Sequence, residues 1–127
     1  MNCLDETKLQ RIAFQLITTR NQKARFNLHK KKIRYNQLGQ LDRQELKILG
    51  FNRAEITDIK ETFLKKAESE IQMANKYGVD LIFMENEFYP PLLKEIYDPP
   101  DFIYAIGDKT LLKRDKIAIV GSRRGGS

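Results

Sequence analysis

The residues best suited to binding chemistry lie in the last part of the sequence, where an apolar run leads into the glycine-rich loop of IAIVGSRRGGS. Glycine lets backbone amides approach a phosphate, a serine hydroxyl adds a donor, and an arginine guanidinium meets two phosphate oxygens at once. The loop fits neither G-x-G-x-x-G nor a Walker A sequence. By itself it therefore predicts either a phosphate site or an ordinary turn. Its candidate residues are Gly121, Ser122, Arg123, Arg124 and Ser127.

A second candidate surface is the stretch from Arg20 to Arg34, which holds seven basic residues and no acidic one. Such a charge density attracts polyanions through counterion release. The alternative is a solvated helix face or loop that the charge keeps soluble. Phe26 and Tyr35 could stack on bases, but the aliphatic residues near them predict that both belong to the core. The candidate electrostatic contacts are Lys30, Lys31, Lys32 and Arg34.

The composition predicts a folded protein that needs no metal or disulfide. The 127 residues carry a formal net charge of +6, with 41% hydrophobic and 31% charged residues, as in ordinary globular domains. Cys3 and His29 are the only residues of their types, which excludes a disulfide framework and a tetrahedral zinc set, and no cofactor is expected. No apolar run reaches the roughly 18 to 20 residues of a membrane span, and no secretory signal pattern opens the sequence. We therefore expect a cytoplasmic protein without a membrane partner.

Apolar spacing predicts helices in the first part of the chain. From Lys8 to Thr19 the apolar residues recur at intervals of three and four, which is typical of an amphipathic helix. Asp42 and Glu45 have the spacing of a capping box, and Gly50 follows as a helix end.

A longer helix is predicted next, with Asn52 as its cap. Apolar residues from Ile56 to Ala74 step by three and four, which predicts one helix of about 25 residues. Tyr77 and Gly78 then end it, because glycine adopts the left-handed conformation that closes a helix.

The pattern after Gly78 changes from helical to extended. Two turns are predicted at the Pro-Pro pairs that follow Tyr89 and Asp98, with a short helix between them. The predicted buried strands are VDLIFM (79–84), FIYAIG (102–107) and KIAIVG (116–121). The strand at 116–120 is expected to pair with the strand at 102–106.

The order and spacing of several short motifs are similar to those of a known family. The segments YPPLLKEIYDPPDFIYAIGD (89–108), LL (111–112) and IAIVGSR (117–123) together resemble the DNA-processing protein A family (DprA, also called Smf). The resemblance covers residues 78–127. Residues 1–77 resemble only the variable helical region that precedes this part in the family.

The resemblance implies an α/β fold with two domains. Residues 1–77 would form a helical N-terminal domain, similar to a sterile alpha motif or to a helix-hairpin-helix unit. Residues 78–127 would form the first strands of a Rossmann-like DNA-binding domain with a parallel sheet. Because the family continues beyond the position of Ser127, the resemblance also implies a truncated, N-terminal fragment that binds DNA weakly.

The family's function enters as an expectation. Membership implies a protein that binds single-stranded DNA without sequence preference, forms a homodimer, protects incoming DNA and loads the RecA recombinase in natural transformation, with no catalysis. Gly121, Ser122 and Arg123 match the start of the family's backbone-binding loop, with Arg123 as the phosphate contact. Ser127 lies near the hydroxyl residue that follows, and Arg124 is basic at a variable position. The segment 89–107 would be structural.

Other functions stay open from the residues alone. The glycine-serine-arginine loop could serve a nucleotide-binding enzyme related to phosphoribohydrolases, although no acid-base pair stands beside it. The helical domain could instead be a protein-interaction module whose acidic 42–70 surface faces a partner. Within it, KILGFNRAEI (47–56) resembles a helix-hairpin-helix turn, with Asn52 near the place of that motif's second glycine. A plain helix connection is the alternative to DNA contact there.

Overall fold

The structure, a computed structural model, describes residues 6–107 and 119–121, the last three by their backbone alone. Its described helices are α1 (Glu6–Thr19), α2 (Gln22–Lys30), α3 (Tyr35–Leu38), α4 (Arg43–Leu49), α5 (Arg53–Glu61) and α6 (Phe63–Lys76). The described strands are β1 (Asp80–Phe83), β2 (Phe102–Ala105) and β3 (Ile119–Gly121), and a 3-10 helix (Pro91–Glu95) lies between β1 and β2. This order confirms the predicted fold class, in which a helical region precedes the start of an α/β domain.

The chain divides into two compact units, residues 1–69 and residues 70–127. We call their described parts the helical unit (6–69) and the sheet unit (70–107 and 119–121). Along these described residues, no helix combines the length and the apolar character that crossing a membrane would require.

Short-range hydrogen bonds fix the ends of α4, as the sequence predicts. The Asp42 carboxylate accepts from the Glu45 amide at 2.8 Å, and the Glu45 carboxylate accepts from the Asp42 amide at 2.9 Å. This pair completes the capping box. Gly50 closes the helix with φ of 116°, a region that residues with a side chain rarely adopt. Asn52 caps α5 through the same reciprocal bonds.

The single long helix predicted from Ile56 to Ala74 is wrong, because Thr62 separates α5 from α6. Thr62 has φ of −131° and ψ of 25°, outside the helical range. Its hydroxyl lies 3.5 Å from the carbonyl of Asp58, one turn earlier. A β-branched threonine loses side-chain freedom in a helix, and such a back-bond bends it. The predicted end of α6 is confirmed, since Gly78 has φ of 68°.

An aliphatic core holds the helical unit together. Its buried members are Ala24, Leu28, Leu38, Leu46, Leu49, Phe51, Ile56 and Ile59. Complete burial of one large aliphatic side chain contributes about 1.5 to 3 kcal/mol. Because α2, α4 and α5 all supply members, the helix that carries the basic stretch has a fixed position in the unit.

The sheet unit is built on three described strands in the order β1-β2-β3. Both pairs are antiparallel, and β2 pairs with β3 through Tyr104 opposite Gly121 and Ala105 opposite Ile119. The predicted pairing between the second and third strands is thereby confirmed. The parallel arrangement implied by the family resemblance does not occur among these described strands.

Aromatic side chains dominate the interior of the sheet unit. The Phe102 ring lies 5.6 Å from that of Phe83 and 5.4 Å from that of Tyr104. The Tyr104 hydroxyl donates to the buried carboxylate of Glu70. The interior of the sheet unit is therefore built on aromatic rings and one polar pair, whereas the core of the helical unit is mostly aliphatic.

The two predicted proline turns are tied together by a buried tyrosine. Tyr89 is 1% exposed, and its hydroxyl donates to the carbonyl of Pro100 at 2.7 Å. Burial, followed by the charge of Asp101, raises the pKa of Tyr89 from 10.0 to about 12. The short helix predicted between the turns is present as the 3-10 helix. Tyr89 therefore has a structural role, because its hydroxyl joins the two turns.

Candidate nucleic-acid interface

Helix α2 holds the basic stretch on the surface of the helical unit. The side-chain oxygen of Asn21 accepts from the amide of Ala24 at 3.0 Å and so begins the helix. Ala24 and Leu28, one turn apart, are 0% and 1% exposed, which directs their side of the helix into the core. The opposite side, centred on Phe26, is exposed.

The three consecutive lysines form the end of α2 and the turn after it. Lys30 is the last helical residue, Lys31 is the cap, and Lys32 has φ of 58°. The amide of Ile33 donates to the carbonyl of Leu28 at 2.9 Å, a pattern that usually has glycine at the left-handed position. A left-handed conformation costs a residue with a side chain about 1 kcal/mol. The lysine turn is therefore a strained one.

The predicted electrostatic contacts are exposed and have no acidic partner within the unit. Lys30, Lys31, Lys32 and Arg34 are all exposed. Over residues 6–107, none of these four side chains lies within ion-pairing distance of a carboxylate. Arg34 lies over the half-buried ring of Tyr35, 5.6 Å from its centroid. Their positive charge is available to an incoming polyanion.

Phe26 is the residue that sequence analysis places wrongly. Its side chain is 57% exposed rather than part of the core. It lies three residues after Lys23 and four before Lys30, on the same helix face, and both lysines are exposed. The sequence contains the signal, because Phe26 is out of phase with Ala24 and Leu28. An exposed ring between two cations provides a platform for a nucleic acid base.

The glycine-rich loop falls almost entirely outside the described residues. Gly121 ends β3, and its backbone lies opposite Tyr104 of β2. The other predicted contacts, Ser122, Arg123, Arg124 and Ser127, lie outside the described part of the chain. Their contact with DNA stays a prediction.

The turn between α4 and α5 is a connection whose polar backbone groups are bonded internally. The Gly50 amide donates to carbonyls in the last turn of α4, and the Asn52 amide donates to a carboxylate of α5. Two asparagine side chains donate to carbonyls on the other side of the turn: Asn21, the cap of α2, to Gly50 at 3.0 Å, and Asn27 of α2 to Leu49 at 2.7 Å. A helix-hairpin-helix motif needs backbone amides that face a phosphate. The geometry favours the plain helix connection.

Metal chemistry has no visible basis in the described residues. Within 6–107 and 119–121, no three side chains of histidine, cysteine, aspartate or glutamate are grouped so that they could hold a metal ion. The positive helix face and the lysine turn are the features of this part of the chain that suit a charged ligand.

Comparison with known proteins gives matches to part of the chain. Residues 80–126 match the model of the family described as DNA recombination-mediator protein A. The chain is also 41% identical over 64 residues to the DNA processing protein DprA of Bacillus subtilis (strain 168), an alignment that covers 50% of this chain and 22% of that protein. The motifs that carry the predicted resemblance, between residues 89 and 123, lie inside the matched segment. No solved structure gives a significant match.

The family match covers one of the two candidate surfaces. The matched segment, residues 80–126, includes β1, β2, β3 and all of the glycine-rich loop except Ser127. The basic stretch and Phe26 come before it in the sequence. This chain spans about a fifth of the length of the Bacillus relative.

Proposed function

We propose that this chain is part of a protein that binds single-stranded DNA and mediates recombination without catalysing a reaction. The family match of residues 80–126 and the likeness to a DNA processing protein support a role in DNA processing. The observation that carries the DNA-binding proposal is the exposed Phe26 ring between Lys23 and Lys30. In finer terms, we propose a cytoplasmic homodimer that protects incoming DNA and loads the RecA recombinase in natural transformation.

The helix face and the lysine turn contact different parts of the DNA. Lys30, Lys31, Lys32 and Arg34 neutralise phosphates, while Phe26 stacks against one base. Stacking of one base contributes about 1 to 3 kcal/mol and accepts any base, since every base has a π-face. Binding through these groups is therefore independent of sequence and sensitive to salt.

The glycine-rich loop is proposed as a second DNA contact, separate from the helix face. Its backbone amides and the Ser122 hydroxyl would bind a phosphate, and Arg123 would meet the phosphate oxygens as a fork. Gly121 permits the close approach, and Arg124 and Ser127 add a charge and a hydroxyl. The support for this assignment is that the family match, residues 80–126, includes all of these residues except Ser127.

The test of the stacking contact is fluorescence polarisation with labelled oligo-dT. We expect Phe26→Ala to weaken binding about tenfold, the equivalent of one lost stack, and Phe26→Trp to retain it. Tyr77→Ala is the matched control, because Tyr77 is also an exposed aromatic residue, at 64%. Equal affinity of Phe26→Ala and the native chain would remove this ring from the interface.

The charged contacts are tested by salt dependence in the same assay. Replacing Lys30, Lys31 and Lys32 together by glutamine should lower the slope of log affinity against log salt by about two units, as expected for three phosphates on a single strand. Lys65→Gln, at an exposed position of α6, should leave the slope unchanged. Arg123→Glu should also weaken oligo-dT binding. An unchanged affinity would exclude Arg123 from the DNA contact.

A further inference from the structure

A groove of about 550 Å³ lies along α4 and α5 in the helical unit. Phe51 and Ile56 line its inner side, and Arg43, Lys47 and Arg53 line it with exposed basic side chains. Its volume is in the range of pockets that hold a small ligand or a few side chains. None of these residues belongs to the DNA contacts proposed above.

The floor of the groove is apolar and continuous with the core. Phe51 and Ile56 are 3% and 7% exposed and belong to the aliphatic cluster of the unit. Ile48 lies one turn after the groove residue Gln44 on α4 and is 67% exposed. Because residues four apart share a helix face, Ile48 extends the apolar surface at the groove's side.

Basic groups at the groove are able to accept a new acidic partner. Arg43 contacts Glu61 at 3.3 Å, but both side chains are more than half exposed, so the pair contributes little to stability. Over residues 6–107, Lys47 and Arg53 lie within ion-pairing distance of no carboxylate. A carboxylate that enters the groove can therefore pair with them, and can replace Glu61 at Arg43, at little cost.

Nucleic acid is a poorer occupant than an acidic peptide. The amides of Gly50 and Asn52 are already bonded inside the unit, so the turn offers neither of them to a phosphate. The stretch 42–70 carries seven acidic and six basic residues, so it is nearly neutral rather than the acidic surface expected from sequence. These carboxylates would repel the evenly spaced phosphates of a nucleic acid. A peptide can instead place each of its acidic side chains opposite one basic side chain.

We propose that this groove docks a segment of a partner protein in which an aliphatic or aromatic anchor is flanked by aspartate or glutamate. The anchor packs on Phe51, Ile56 and Ile48, and the flanking carboxylates pair with Arg43, Lys47 and Arg53. The proposal is independent of DNA binding, because it uses none of the residues of α2 or of the glycine-rich loop.

The test is selection of random dodecapeptides displayed on phage against the whole chain. Enriched sequences should share an apolar anchor with acidic neighbours. A fluorescein-labelled copy of the enriched peptide should bind about tenfold more weakly to the double variant Lys47→Glu, Arg53→Glu. The two new carboxylates would repel the acidic side chains of the peptide instead of attracting them. The matched control is Lys65→Glu, an exposed lysine of α6 outside the groove, which should bind normally. Circular dichroism establishes that each variant is folded.

Three outcomes would overturn the proposal. The first is a selection that enriches no acidic-apolar sequence. The second is an equal loss of peptide binding in the double variant and in Lys65→Glu. The third is a groove that serves nucleic acid, which would appear as a loss of oligo-dT binding in the double variant with peptide binding intact.

Discussion

The helical unit and the sheet unit are stabilised by different kinds of hydrogen bond. In the helical unit, polar side chains bond to the backbone at helix ends, as Asp42 and Asn52 do through partners three residues away. In the sheet unit, tyrosine hydroxyls bond across the fold, from Tyr89 to Pro100 and from Tyr104 to Glu70. Local bonds can be recognised from the spacing of a few residues, whereas cross-fold bonds depend on chain segments that folding brings together.

Asn21, Asn27 and Lys60 also bond across the helical unit, and removal of Asn21 offers the largest test of this contrast. Its side chain accepts from the Ala24 amide and donates to the Gly50 carbonyl and, at 2.9 Å, to the Glu55 carboxylate. Asn21→Ala should lower the free energy of unfolding by about 2 to 3 kcal/mol, because it removes a cap and leaves part-buried groups without partners. Urea denaturation followed by circular dichroism measures this loss.

The control for that experiment is Asn36→Ala in α3, where the asparagine side chain is exposed. Its stability should stay within about 0.5 kcal/mol of the native value. Equal losses of stability in the two variants would show that the hydrogen bonds of the Asn21 side chain do not stabilise the unit.

Tyr89→Phe tests the corresponding bond of the sheet unit. It leaves the Pro100 carbonyl unpaired and should cost about 1 kcal/mol at neutral pH. Since the folded state raises the pKa of Tyr89 to about 12 from 10.0, the native chain should lose stability as pH rises from about 10 to about 12. The Tyr89 hydroxyl loses its proton at a lower pH in the unfolded chain than in the folded chain, which favours unfolding over this range. Tyr89→Phe has no such proton and does not lose this stability. Its stability deficit relative to the native chain therefore shrinks as the pH rises.

The measurement is chemical denaturation at a series of alkaline pH values, with Tyr77→Phe as the exposed control. A deficit of Tyr89→Phe that stays constant up to pH 12 would show that burial does not hold this hydroxyl in its protonated form.

Lys32→Gly tests the strained turn and should give the smallest effect. With φ of 58°, this position favours glycine, so the variant should gain about 0.5 to 1 kcal/mol of stability. Affinity for oligo-dT should fall at the same time, because one phosphate contact is lost. Thermal unfolding and polarisation measure the two effects. Lys31→Gly removes the same charge at φ of −90° and should lose affinity without gaining stability.

Sequence predicts the helix caps, the glycine ends and the strand pattern, because each depends on residues close together in the chain. The break at Thr62 escapes the apolar spacing, which continues unchanged through it. The aliphatic residues near Phe26 indicate a core position, whereas its helical phase relative to Ala24 and Leu28 indicates the exposure that the structure shows. The bond between Tyr89 and Pro100 joins two turns across the 3-10 helix, and no local pattern specifies such a contact.

The three bonds of the Asn21 amide have a consequence for hydrogen exchange. The start of α2 and the turn after α4 can separate only if this side chain releases both of them. Amide protons at the two places should therefore exchange with solvent in one shared opening event rather than by independent fraying. Helix α2, which presents Phe26 and the lysines, would then open together with the turn between α4 and α5, as a single cooperative element.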